Sequence, residues 1–120
     1  MKELQEAGNH WQEVESELNT ARLARSQGNE GKARVCARRA AGKALNAVGV
    51  ASGPPLAAIR FFLETQSMPD EVRVACTHLI ATVNDSYQMD DGIDLIADAE
   101  MIWYYVNSAV FLSKKHGIIR

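Results

Sequence analysis

Apolar residues recur along the chain in steps of three and four, with no sustained alternation of the kind a strand needs. Leu4, Ala7, Trp11, Val14, Leu18 and Ala21 share one stripe of a helix. Asn9 with Gln12 three positions later reads as a capping box, so the stable helix is predicted from near His10, with residues 1–8 frayed. Gly28-Asn29 ends it, with Gly28 the left-handed cap. A second helix is predicted over Glu30–Val48. Its inner stripe is small: Ala33, Ala37, Ala40, Ala44 and Ala47, with Cys36, Ala41 and Leu45 beside it. Small side chains let a neighbouring helix approach closely.

The segment from Gly49 to Pro55 reads as a loop, and Pro55 is suited to open the next helix. A short helix over Leu56–Thr65 would turn Ile59, Phe62 and Leu63 inward. Ser67-Met68-Pro69-Asp70 gives a helix start with Ser67 as cap, and Val72, Cys76, Leu79 and Val83 share the next stripe. Asn84–Asp91 is a polar loop containing Tyr87. Asp91-Gly92-Ile93-Asp94 opens a last helix running to about Lys115, with acids Asp94 and Asp98 at its start and Lys114, Lys115 and His116 at its end. The pattern predicts an all-α, up-and-down bundle of about five helices in one domain spanning residues 1–120.

The last helix is apolar most of the way round. Leu95, Ala99, Ile102, Val106 and Ala109 form one stripe; Ile96, Trp103, Val110 and Phe111 form a second, and Tyr104 and Tyr105 add to it. Such a helix is either the centre of the bundle or a helix with one face in the bundle and the other on a second subunit. A homodimer interface is expected at Trp103, Tyr104, Val110 and Phe111.

Composition narrows the class. Of the 120 residues, 47% are apolar and 23% charged, as in an ordinary globular chain. The N-terminus carries acids where a signal peptide has an apolar core, and no uncharged run is long enough to span a bilayer. Cys36 and Cys76 stand 40 residues apart with no CxxC spacing, which fits reduced core thiols in a cytoplasmic protein. His10, His78 and His116 lack partners at ligand spacing, the aspartates at 90, 91, 94 and 98 lack EF-hand spacing, and there is no GxxxxGK[ST] loop. Neither a metal nor a cofactor is expected. Gly28-Asn29 between Ala-rich helices suggests a tetratricopeptide hairpin, but no second copy follows at the required offset.

The net charge of −2 hides a block pattern. Residues 1–21 sum to −4, residues 22–43 to +6 and residues 44–120 to −4. The basic block holds Arg34, Arg38, Arg39 and Lys43 on the flanks of the second helix's small-residue stripe. Guanidinium forks bind phosphate oxygens in pairs, so these four are the candidate phosphate- or nucleotide-binding residues. The alternative is internal pairing with the acidic helices on either side.

From about His10 to Ser113 the order of elements resembles the HEPN family (higher eukaryote and prokaryote nucleotide-binding domains). The residues that carry the resemblance are Trp11, Leu18, Ala21, Gly28-Asn29, then Ala40-Ala41-Gly42-Lys43-Ala44-Leu45, then Met68-Pro69-Asp70-Glu71, Tyr87 and the aromatic last helix. Two positions depart from the pattern. Gly42 stands where members often carry Glu, and the histidine that often opens the third helix is replaced by Pro55 or Leu56. The resemblance implies a homodimeric bundle without catalytic activity of its own, which binds a nucleotide, RNA or a protein partner through the basic second helix, with Lys43 matching the family's Lys. It also implies an alternative, a metal-independent ribonuclease with Arg73 and His78 as the catalytic candidates; a third reading, from the charge blocks, is a purely structural dimeric adaptor. Val74 is apolar where the ribonucleases carry a polar residue, and five helical positions turn two side chains apart by roughly 140°.

Overall fold

A two-residue joint sets the architecture. In a computed structural model of the chain, Gly28 takes φ +79°, the left-handed conformation that terminates α1 (Lys2–Ser26). Asn29 serves both neighbours. Its N–H donates to the Ala24 carbonyl at 2.8 Å, and its Oδ1 accepts the Lys32 N–H at 3.1 Å as the cap of α2 (Glu30–Ala47). The two helices therefore fold back on each other as an antiparallel hairpin. The structure describes the backbone of residues 2–81 and 92–116 and the side chains of residues 11–81 and 92–108.

The described residues form five α-helices and no strand. Of the expected small stripe of α2, Ala33, Ala37, Ala40 and Ala44 are buried and Ala47 is half-buried, and α2 is the hub: α1, α3 and α5 all pack on it. The remaining helices are α3 (Pro55–Thr65), α4 (Asp70–Ile80) and α5 (Leu95–His116). Ala58, Ile59 and Phe62 of α3, Val72, Ala75, Cys76 and Leu79 of α4, and Leu95, Ile96, Ala99, Ile102, Trp103 and Val106 of α5 close one apolar core. No helix of the described residues is long and apolar enough to cross a membrane.

Three sequence expectations are revised. Helix α1 begins at Lys2 rather than near His10, the good helix formers Lys2 to Ala7 carrying it through the poorer Gly8 and Asn9. Ser67 does not cap α4. Pro69 occupies that position with φ −59°, and its carbonyl accepts the N–H groups of Val72 and Arg73 at 3.0 Å each. Trp11 belongs to the inner stripe by spacing but is 37% exposed. With 25 residues against 18, α1 outruns α2, so Trp11 meets Trp103 of α5 instead, with ring centroids 5.5 Å apart and planes at 77°. Leu4, Ala7, Val83, Tyr87 and Ala109 lie outside the described side chains.

Gly42 has a packing reason. A Cβ there would sit 2.8 Å from the Pro55 Cα, so only glycine lets the start of α3 rest against α2 at this point. The connecting loop reaches Pro55 through Gly49 and Gly53, at φ +76° and +94°.

Candidate functional site

The basic block separates into residues that hold the fold and residues that face solvent. Arg22 of α1 bonds Asn19 at 2.7 Å and pairs with Glu100 of α5. Arg25 bridges Glu30 and Asp94, each at 2.8 Å. Bonds to Glu30 first and Asp94 second drive the Arg25 pKa above its ordinary value. The Arg25 bond in turn holds Glu30 below its usual range. Asp94 also caps α5, accepting the Ile96 and Ala97 N–H groups at 3.0 and 3.2 Å. Burial pushes its carboxyl up, but Arg25 and these amides outweigh burial and hold it low.

The four α2 candidates differ sharply. Arg38 donates Nε–H to the Leu79 carbonyl at 2.7 Å and Nη2–H to the Ala81 carbonyl at 3.2 Å. It caps the C-terminal end of α4, where orphan carbonyls favour a cation. Burial, then the neighbouring Arg34 charge, lowers its pKa. Arg34 is 9% exposed and turned into the bundle. Lys43 pairs with Glu17 of α1 at 2.9 Å. Arg39 is exposed and makes no hydrogen bond or ion pair with another described residue.

Arg39 and Lys43, one turn apart, line a cleft of about 390 Å³ with Glu17, Asn46, Gly42, Gly53 and Pro55. Two cations face one carboxylate there. The Asn46 Oδ1 is buried and has no hydrogen-bond partner among the described residues. Buried amide oxygens are nearly always satisfied, so this wall of the cleft is left incomplete by the protein itself. The structure thus brings together two of the four predicted residues and turns Arg34 and Arg38 to other contacts. Sequence reasoning did not single out Glu17 or Asn46. Glu17 was findable: folding the chain at Gly28-Asn29 sets it opposite the far half of α2.

The catalytic candidates stay apart. Arg73 is exposed on α4, and His78 Nδ1 lies 2.9 Å from Asp98 Oδ2 of α5. Burial pushes the Asp98 carboxyl up, and the His78 bond opposes it. Asp98, in the first turn of α5, therefore orients His78, whereas Asp90 and Asp91 lie outside the described residues. Cys36 and Cys76 are both free and buried. Burial raises both thiols, Cys76 to about 11, so neither is a ready nucleophile. No group of three potential metal ligands occurs among the described residues.

Of the expected interface residues, Trp103 is 5% exposed and donates Nε1–H to Glu15 at 3.2 Å. Tyr104, by contrast, is 58% exposed, and Met101 is exposed one turn before it. Val110 and Phe111 lie outside the described side chains. Comparisons with family models, with curated proteins and with solved structures find no match for this chain in any of the three.

Proposed function

We propose that this protein is a non-catalytic helical binding module of the HEPN kind, which takes a small phosphate-bearing molecule such as a nucleotide in the cleft between Arg39 and Lys43. One observation carries the reading. Of the four candidates Arg34, Arg38, Arg39 and Lys43, Arg39 is the one both exposed and without a bond to another described residue, and it shares the cleft with Lys43; Lys32, also exposed and unbonded, does not line that cleft. A guanidinium and an ammonium one turn apart suit a single phosphate group. A longer RNA backbone needs a row of open cations, and Arg22, Arg25, Arg34 and Arg38 are engaged or turned inward. A binding role is favoured over a ribonuclease role because Arg73 and His78 lie on diverging faces of one regular helix. The protein acts as a homodimer, and among the described side chains Tyr104 and Met101 carry its interface.

Thermal-shift titration with adenosine monophosphate and with a short RNA tests the binding site. The nucleotide raises the melting temperature of the wild type, as any ligand of the folded state must. Arg39→Ala removes the shift. An equal shift in Arg39→Ala, or no shift with either ligand, rules the cleft out. A shift with RNA alone that falls steeply with salt overturns the small-ligand assignment.

A further inference from the structure

A second site of opposite character lies on the other side of α1. We infer that the groove between α1 and α5 binds a small organic cation bearing a methylated ammonium group. The groove is open to solvent, with a volume of about 630 Å³; α1 lines it from Trp11 to Leu23, and α5 contributes Trp103 at one end. Glu15 is the one charged side chain among its eight lining residues; the rest are indole, amide, hydroxyl or aliphatic groups. The electrostatics of this lining favour a cation and disfavour an anion.

The two indoles and the carboxylate form one unit. Trp11 and Trp103 meet edge to face, with planes at 77°; Trp103, only 5% exposed, backs Trp11, which supplies the open face. Glu15 Oε2 accepts the Trp103 indole N–H at 3.2 Å, which fixes the carboxylate beside the pair. Trp11 is exposed and offers open π surface. A cation over an indole face is held by the ring quadrupole, and tryptophan is the strongest aromatic partner for it. A methylated ammonium suits this wall better than a bare one. Its charge is spread over apolar methyl groups and weakly hydrated, so it loses less water on entering. The groove is longer than such a headgroup, and its Thr20–Leu23 end receives an aliphatic remainder.

The test pairs choline with 3,3-dimethylbutan-1-ol, its uncharged carbon isostere, in calorimetric titrations of the full chain. Choline is expected to saturate the site and to bind about fivefold more tightly than the isostere, the upper end of what a cation–π contact at an open site supplies. Glu15→Gln, an exposed substitution, should weaken choline severalfold and leave the isostere unchanged. Trp11→Leu should abolish choline binding, and Trp11→Phe should keep part of it. Equal affinity for the two ligands would show an apolar groove without charge recognition and overturn the inference. So would the absence of saturable choline binding, or a choline affinity untouched by Glu15→Gln.

Discussion

Arg38 ties the middle of α2 to the end of α4, because its guanidinium bonds the carbonyls of both Leu79 and Ala81. A side chain that looks in sequence like part of an anion site is thus a cap supplied from another helix. Arg38→Met keeps the aliphatic stem but leaves two carbonyls without their donor. Losing charge-assisted bonds of this kind costs about 2 kcal/mol. Urea unfolding is expected to show a lower midpoint with an unchanged slope. Ligand binding at Arg39 should survive.

Gly42→Ala pits two effects against each other. Alanine favours the helix over glycine by about 1 kcal/mol. The added methyl, however, meets the Pro55 backbone at 2.8 Å, and overpacking of this kind costs roughly 1–3 kcal/mol. Backbone cannot rotate out of the way as a side chain can, so the clash should win. The variant is expected to melt below the wild type, and because Gly42 and Pro55 both line the cleft, nucleotide affinity should fall with it.

Asp94 and Asp98 stand one turn apart on the same chain segment yet titrate in opposite directions. Arg25 and two backbone amides outweigh burial and hold Asp94 low; burial dominates and holds Asp98 high. The folded state releases the Asp94 proton more readily than the unfolded state does. Its stabilising contribution is therefore present above the ordinary carboxylate pKa and lost as pH falls through the lower folded value. Asp98 has the reverse sign: its contribution is full at low pH and lost as pH rises through the raised folded value. Carbon-13 titration of the two carboxyls should place Asp94 below and Asp98 above an unperturbed aspartate. In Arg25→Gln the Asp94 midpoint should rise, and the stability difference from wild type should vanish in strong acid. An unmoved Asp94 midpoint would contradict the ion pair.

Tyr104→Lys bears on the dimer. Tyr104 is largely exposed and Trp103 is internal, so the substitution places a charge on the surface without disturbing the core. Light scattering at micromolar concentration is expected to give the mass of two chains for the wild type and of one for the variant, with unchanged circular dichroism. A monomeric wild type would exclude the interface.

Helix number, order and the inner stripes were legible because burial imposes a period that a single sequence displays. The Ala33-to-Ala44 stripe of α2 and the left-handed Gly28 are the clearest cases. The roles of charged residues were far less legible. Arg34, Arg38, Arg39 and Lys43 look alike in sequence, but their fates depend on what other helices bring: the end of α4 for Arg38, Glu17 for Lys43, solvent for Arg39. These partners are 26 to 43 residues away, and no local pattern encodes them. The pairing of Asp98 with His78 was illegible for the same reason, since the two come from different helices.

The joint at Asn29 also bears on the order of assembly. One residue closes α1 and opens α2, so the hairpin needs only a short loop and contacts close in sequence, which form fast. Glu17 and Lys43 would then face each other before α3 arrives to bring Pro55 against Gly42. One wall of the cleft belongs to an early hairpin and the other to a late docking step. Substitutions at Ala37 should slow folding, while substitutions at Ile59 should mainly speed unfolding.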